Sequence, residues 1–236
     1  MGSRDELRQR IVEAAATLLE KEGREALTTR SVCAAAGIQA PTLYRLFTDM
    51  NGLLDEVADA GLNRYLAEKQ ELEPTDDPVA DLRRGWDNHI EFGVQNPAYY
   101  LLMYGRPQAG ARSRAAERGL EGLVVLVERI SVAGLLAVNV ETAVEMVHSA
   151  GVGLTLNLIQ QPAERRDPSL VGRLGDAVVG ALTGTGSGDR PSVVQRATGL
   201  LAVLDQAPGL YSPGERALLD ELLRRAADYQ GADQGA

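Results

Sequence analysis

Hydrophobic residues recur along nearly the whole chain at the spacing of an amphipathic α-helix. The first stripe contains Leu7, Ile11, Ala14, Ala15, Leu18 and Leu19, and Gly23 follows it as a helix end. Further stripes contain Leu54, Ala58, Leu62, Tyr65 and Leu66, and then Leu170, Leu174, Ala177, Val178 and Ala181. No segment alternates strictly between polar and apolar residues as a half-buried strand does. The pattern therefore predicts an all-α fold.

Capping residues indicate where several of these helices begin. After a linker at residues 73–78, Asp77 is suited to cap a helix and Pro78 to occupy its first turn. Proline is tolerated there because the N–H that it lacks would have no partner in the helix. The same pairing is expected at three further starts: Asn96-Pro97, Asp167-Pro168 and Ser212-Pro213, where Glu215 completes a capping box.

Two glycine-containing segments are predicted to interrupt the helices. Between residues 111 and 161 the pattern indicates two long helices with a break at 134–139. Residues 183–192 are rich in glycine and serine, which favours a flexible linker. A phosphate-binding loop would instead follow a strand and end in Gly-Lys-Ser/Thr, and this segment does neither.

Residues 28–47 have the pattern of a helix-turn-helix. Thr28 can cap a short helix that extends to residue 36, with Val32 and Ala35 facing inward. Gly37 is placed to end that helix in a left-handed conformation, Ile38 is expected to be buried in the turn, and a second helix is expected at residues 40–47. Two short helices joined by such a turn allow the second one to enter the major groove of DNA.

This stretch closely resembles the TetR family of bacterial regulators. The resemblance covers about the first 60 residues and depends on the runs Leu27-Thr28-Thr29-Arg30-Ser31-Val32-Cys33-Ala34-Ala35-Ala36-Gly37-Ile38, Pro41-Thr42-Leu43-Tyr44-Arg45-Leu46-Phe47 and Leu53-Leu54. It implies an N-terminal three-helix DNA-binding domain with a helix-turn-helix, at residues 1–50. It also implies a larger helical domain for ligand binding and dimerisation, at residues 51–236.

The resemblance assigns roles to individual residues. Those expected to contact DNA are Thr28, Thr29, Arg30, Gln39, Ala40, Pro41, Thr42, Tyr44 and Arg45. Tyr44 resembles the family's phosphate-contacting tyrosine, whereas Gln39 and Pro41 lie where side chains approach base edges. Two alternatives remain open, namely that Tyr44 is a core aromatic residue and that Arg45 is an ordinary solvated charge. Leu43 and Phe47 are interpreted as core.

Two positions depart from the family pattern. Gln39 occupies the place where the family usually caps the recognition helix with Ser or Thr, which predicts a weaker cap. Met50 stands where the family commonly has a lysine directed at phosphate. Both departures affect the expected affinity for DNA.

Residues 140–159 are almost entirely apolar, which predicts a helix that is buried on every side. In the family, two C-terminal helices of each subunit form a four-helix bundle across the dimer axis. The candidates here are the helices near 141–161 and 168–183, and Ser149, Gly151 and Gly153 would allow close approach. The alternative is a helix that is internal to a single chain.

Aromatic residues concentrate in one part of the sequence. Trp86, His89 and Phe92 recur at three-residue spacing, and four further large side chains follow directly. The residues expected to line an effector pocket are Trp86, His89, Phe92, Tyr99, Tyr100, Met103, Tyr104, Met146 and His148. Such a lining favours a small hydrophobic or aromatic effector. The alternative is that this stripe is plain core.

Charge and composition narrow the class of protein. The net charge is −9, but residues 1–50 contain equal numbers of basic and acidic residues, so the rest of the chain carries all of it. An acidic body behind a neutral head would be repelled from DNA everywhere except at the head. A single cysteine, Cys33, excludes an intramolecular disulfide and favours a reducing, cytoplasmic location. We interpret Cys33 as a small buried residue. No membrane span is expected.

These features predict a ligand-responsive regulator and not an enzyme. No catalytic or metal-binding motif occurs, so no cofactor or metal is expected. The resemblance implies a repressor that binds a palindromic, double-stranded operator as a homodimer and is released by its effector. Two alternatives are a helical enzyme with an incidental N-terminal match and a DNA-binding protein that has no ligand.

Overall fold

The protein is all-α, as predicted. A computed structural model describes residues 3–68, 74–105, 112–184 and 193–228, and within them it contains eleven α-helices and no strand. The helices are α1 (Ser3–Glu22), α2 (Thr29–Ala36), α3 (Ala40–Phe47), α4 (Met50–Glu68), α5 (Pro78–Gln95), α6 (Pro97–Tyr104), α7 (Arg114–Val132), α8 (Val140–Gln160), α9 (Ser169–Thr183), α10 (Val193–Val203) and α11 (Pro213–Ala227). Most of the predicted linker at 183–192 lies outside the described residues.

Helix starts follow the predicted caps at Asp77 and Ser212 but not at Asp167 or Asn96. Pro168 stands at the N-cap of α9 and not in its first turn, although the Asp167 carboxylate accepts a hydrogen bond from the Ser169 amide at 2.9 Å. The Asp77 carboxylate accepts hydrogen bonds from the amides of Val79 and Ala80 at 3.0 and 2.9 Å, and Ser212 with Glu215 forms the capping box. The prediction for Asn96 is wrong. Its side-chain amide donates instead to the Phe92 carbonyl at 3.2 Å, so it satisfies the end of α5 and not the start of α6.

The chain forms two compact units. The first consists of the described parts of Met1–Glu73, Glu91–Gly119 and Thr155–Pro162. Its core contains residues of the four helices α1, α2, α3 and α4 together with residues of α5, α6 and α7. Its largest fully buried side chains include Tyr100, Ile11, Leu19, Leu43 and Leu53. Ala35 is exposed in α2 and Ala36 is buried in its place, so the inward orientation expected of Ala35 is wrong.

The second unit consists of Pro74–Ile90, Leu120–Leu154 and the described parts of Ala163–Ala236. Leu82, Ile130, Leu136 and Leu182 are fully buried in it. Asp81 is also buried. It accepts hydrogen bonds from the Thr75 amide and hydroxyl, and it forms ion pairs with two arginines. The boundaries of these two units differ from the functional boundary expected near residue 50. That functional boundary stays a prediction.

The α8 helix exposes one stripe to solvent. Glu145, Ser149, Gly153 and Asn157 recur every fourth residue along it, and all are exposed. The expectation of burial on every side is therefore wrong for the single chain, and α8 is not an internal core helix. Within the described residues, no helix combines the length and apolar character needed to cross a membrane.

Candidate nucleic-acid interface

Local interactions define both helices of the helix-turn-helix. The Thr28 hydroxyl accepts a hydrogen bond from the Ser31 amide at 3.2 Å, and the Ser31 hydroxyl accepts one from the Thr28 amide at 3.0 Å. This capping box begins α2, although serine replaces the glutamate that usually completes it. Gly37 then ends α2 with φ 65° and ψ 39°, a left-handed conformation that glycine adopts without steric cost. The turn leads directly into α3.

The α3 helix has one buried and one exposed face. Leu43, Leu46 and Phe47 are buried in the first unit, whereas Pro41 and Arg45 are exposed. Tyr44 is 45% exposed, which excludes the alternative that it is a core aromatic residue. The face that α3 turns to solvent is thus the face expected to meet DNA.

A hydrogen bond positions Tyr44 against the preceding helix. Its hydroxyl lies 3.0 Å from the Thr29 hydroxyl, which joins α3 to the first turn of α2 on the exposed side. Thr28 and Arg30 are exposed beside this contact. A phenol oxygen held there can still share a hydrogen bond with a phosphate oxygen, because a hydroxyl both donates and accepts.

The start of α3 agrees with the expected weak cap. Gln39 stands at the N-cap and is exposed, but its side chain caps no amide. Ala40 and Thr42 are half-buried, and the Thr42 amide bonds to the Gln39 carbonyl at 2.9 Å. Gln39 therefore keeps its side-chain amide free for other donors and acceptors.

Arg8 and Glu56, which have no distinguishing signal in the sequence, hold the C-terminal end of α3. Arg8 on α1 donates to the Leu46 carbonyl at 2.5 Å, and its guanidinium lies 4.7 Å from the centre of the Phe47 ring. The Glu56 carboxylate accepts from Arg8 Nε at 2.8 Å. Met50, in place of the family's lysine, packs partly against the core.

Residues 11–57 match the family model described as "Bacterial regulatory proteins, tetR family". This part of the chain is similar to the tetR family of bacterial regulatory proteins. The match covers the helix-turn-helix and parts of α1 and α4, so the predicted resemblance is confirmed there.

Solved tetR-family structures share the fold of the larger part of the chain. A TetR variant from Acinetobacter baumannii AYE, in complex with minocycline, is 20% identical with a TM-score of 0.58 and covers 76% of this chain and 98% of its own. A TetR/AcrR-family regulator from Thermobifida fusca YX-ER1 is 16% identical, with a TM-score of 0.54 and coverage of 74% and 97%. A TetR-family regulator from Haemophilus influenzae RD is 18% identical, with a TM-score of 0.53 and coverage of 77% and 99%.

The family whose model matches residues 11–57 consists of regulatory proteins, which favours a regulator over the helical enzyme. No curated protein matches the chain.

Some residues expected to line the effector pocket of this tetR-family fold form a group in the second unit. The Trp86 indole N–H donates to the Val171 carbonyl at 3.1 Å, and Trp86 is buried. A Cβ at Gly151 would lie 3.4 Å from the His89 ring. Burial, with a smaller contribution from His148, lowers the pKa of His89 to about 4, so its imidazole is neutral at physiological pH. Met146, also expected in the pocket, is half-buried on α8.

The other expected pocket residues lie in the first unit. Phe92 and Tyr100 have ring centres 6.2 Å apart, and Tyr100 and Tyr104 4.7 Å apart. Burial raises the pKa of Tyr104 to about 12 and that of Tyr100 further. Met103 packs partly against the same core. The aromatic side chains thus form two groups, one in each unit.

Tyr99 is oriented differently from the other tyrosines. Its hydroxyl donates to the Glu20 carboxylate on α1 at 2.7 Å, and Arg64 on α4 binds the same carboxylate at 2.6 Å. Burial raises the pKa of Tyr99 to about 12 and the Glu20 hydrogen bond adds to this effect, while hydrogen bonds from Tyr99 and Arg64 lower the pKa of Glu20. Tyr99 therefore connects α6 to α1 and α4.

The second unit also contains a groove of about 840 Å³ that the sequence did not indicate. It is lined by residues of α7, α8, α10 and α11, among them Val132, Val144, Leu201 and Glu145. None of the residues expected to bind an effector lines it. Among the described residues, no cluster of His, Cys, Asp and Glu is arranged to hold a metal ion.

Proposed function

We propose that this protein is a cytoplasmic transcriptional repressor that binds a palindromic operator as a homodimer and is released by a small hydrophobic effector. The observation that supports the proposal most directly is the exposed face of α3 in a tetR-family helix-turn-helix. Tyr44 and Arg45 project from that face, and Thr29 holds the Tyr44 hydroxyl at 3.0 Å.

The roles proposed for this face divide between positioning and reading. Thr28, Thr29, Arg30 and Tyr44 contact phosphate, which positions the domain without distinguishing sequences. The start of α3, which contains Ala40, Pro41 and Thr42, packs against the major groove of the DNA. Gln39 and Arg45 read base edges, because an amide matches the N6/N7 edge of adenine and a guanidinium the O6/N7 edge of guanine.

The proposed dimer uses α8 and α9. The exposed stripe of α8 contains a serine and a glycine, and α9 exposes Leu170, Ala177 and Ala181 along one side. Small side chains allow helix axes to approach closely, and a two-fold interface uses the same patch on both subunits. Such a dimer gives two recognition helices related by symmetry, which requires a near-palindromic operator.

The proposed effector site uses the expected aromatic residues of one unit as apolar walls, either Trp86 in the second unit or Phe92 and Tyr100 in the first. Neutral His89 or the Tyr104 hydroxyl supplies orientation. The minocycline complex of the Acinetobacter TetR supports a small-molecule effector for this fold. An effector releases DNA only to the extent that it prefers the conformation that does not bind DNA.

The DNA-binding face is tested with a duplex that the wild-type protein selects from a random pool. By fluorescence anisotropy, Tyr44→Phe weakens specific and non-specific binding alike by ~1 kcal/mol, since one hydrogen bond to phosphate is lost. Arg45→Ala costs roughly 1–3 kcal/mol and relaxes the sequence preference. Matched controls are Tyr211→Phe and Arg225→Ala, which change an exposed tyrosine and an exposed arginine elsewhere. Wild-type affinity of both Tyr44→Phe and Arg45→Ala would refute the assigned face.

A further inference from the structure

The Glu56 carboxylate on α4 is shared by arginines from two other helices. Arg8 on α1 donates to both of its oxygens, with Nε 2.8 Å from Oε2. Arg114, in the first turn of α7, has a nitrogen 3.4 Å from Oε1. The Glu56 side chain is only 16% exposed, so water screens this charge less than it would on an open surface. Glu56 is therefore a meeting point for α1, α4 and α7.

Arg8 contacts the recognition helix as well as Glu56. One of its nitrogens donates to the Leu46 carbonyl at 2.5 Å, in the last turn of α3 where carbonyls have no partner within the helix. The same guanidinium lies over the Phe47 ring at 4.7 Å. Because a guanidinium is a rigid planar fork, its bonds to Glu56 fix the direction in which it reaches Leu46.

The start of α7 is in turn packed against the aromatic group of the first unit. Ala115 is fully buried in the same core as Phe92 and Tyr100. A Cβ at Gly119 would lie 3.6 Å from the Tyr104 hydroxyl. The first turns of α7, which contain Arg114, therefore lie beside the Tyr104 side chain.

We infer that Arg8 and Glu56 are positioning residues for the recognition helix. We also infer that Arg114 makes the contacts between Arg8 and α3 depend on the position of α7. Contacts therefore connect the Tyr104 region to Leu46 through Arg114, Glu56 and Arg8. The role of this coupling in DNA release rests on the proposed function. The coupling itself can be measured without DNA and without an effector.

The chain supplies its own probe for this coupling. It contains only two phenylalanines, Phe47 and Phe92, so replacing both with 4-fluorophenylalanine gives two ¹⁹F resonances. The Phe47 signal reports on the guanidinium above its ring, and the variant Phe92→Tyr assigns the pair by removing the other signal. Spectra are recorded on the free full-length protein.

The expected result is a displaced Phe47 resonance in Arg8→Gln, Glu56→Gln and Arg114→Gln, although Arg114 does not touch Phe47. Arg114→Lys, which keeps the charge, restores most of the wild-type position. The matched control is Arg118→Gln, because Arg118 also joins α7 to α4, by Asp59 at 3.2 Å and Asn63 at 2.7 Å, but it does not contact Glu56. Arg118→Gln leaves the Phe47 resonance in place.

DNA affinity supplies a second readout. Arg114→Gln is expected to change affinity for the selected duplex about two- to fivefold, as the loss of one partly exposed ion pair implies, and Arg118→Gln by less. A wild-type Phe47 resonance in Arg114→Gln, while Arg8→Gln displaces it, would overturn the inference. So would equal displacement by Arg118→Gln, which would mean that any loosening of α7 reaches α3. Failure of DNA binding alone would refute the proposed function and leave the ¹⁹F result standing.

Discussion

Gly52 offers a test of how closely α4 is fitted to the recognition helix. It is the third residue of α4, and a Cβ at this position would overlap the Phe47 carbonyl oxygen. The Gly52 amide bonds to the Asp49 carboxylate at 2.8 Å, and between the two helices Thr48 has a positive φ of 65°. Gly52→Ala must therefore move backbone, because no flexible side chain can give way.

The magnitude follows from two opposing effects. Glycine to alanine inside a helix alone stabilises by ~1 kcal/mol. Forcing a methyl group against backbone costs typically ~1–3 kcal/mol, and the overlap with a carbonyl oxygen favours the upper part of that range. We expect Gly52→Ala to lose about 1–2 kcal/mol net. Gly122→Ala is the matched control, since no atom lies within 4 Å of its Cβ position, and it should gain about 0.5–1 kcal/mol.

Thermal and urea unfolding of both variants at one protein concentration measure this difference. For a chain of this length, ~1 kcal/mol corresponds to roughly 2–4 °C in Tm. Gly52→Ala should also weaken DNA binding, because the carbonyl that must move belongs to the last residue of α3. Equal stabilisation by Gly52→Ala and Gly122→Ala would refute the close fit between α4 and α3.

Three further predictions concern other parts of the chain. Gly153→Glu should dissociate the dimer in sedimentation at micromolar concentration while leaving monomer stability nearly unchanged, because its Cβ would meet nothing within 4 Å in the chain; an intact dimer would remove α8 from the interface. Met50→Lys should raise the log–log salt slope of DNA binding by about 0.9 for one added phosphate contact, and an unchanged slope would mean that this helix start does not reach the backbone of DNA. The pKa of His89 is lowered from its ordinary value of 6.5 to about 4 in the folded state. Between these two pH values the unfolded chain therefore binds more protons than the folded chain. Stability should therefore fall as pH drops through that window, by at most ~1.4 kcal/mol per pH unit, and His89→Gln should reduce this loss in urea titrations; an identical pH dependence would mean that His89 titrates normally.

The helix-turn-helix could be predicted from the sequence because its signals are local. Thr28 lies three residues from the amide that it caps, and Gly37 adopts the left-handed conformation that its position requires. Leu43 and Phe47 are buried and Tyr44 is exposed, which the helical period determines once the core face is known. Each of these features depends on neighbours within one or two turns.

Features that depend on distant residues could not be predicted in this way. Arg8, Glu56 and Arg114 look like solvated charges on amphipathic helices, and only the packing of three helices brings them together. Asn96 had two available uses, at the end of α5 or the start of α6, and its side chain bonds at the end of α5. Apolar composition likewise could not reveal that α8 keeps one side exposed.

In the proposed complex, two symmetry-related copies of the α3 face bind one operator. The most direct measurement is a hydroxyl-radical footprint of the wild-type protein on the duplex that it selects from a random pool. We expect two protected half-sites related by a two-fold axis, with centres about one helical turn (roughly 10 base pairs) or a multiple of it apart. A single unrepeated half-site, or failure to enrich any sequence, would contradict it.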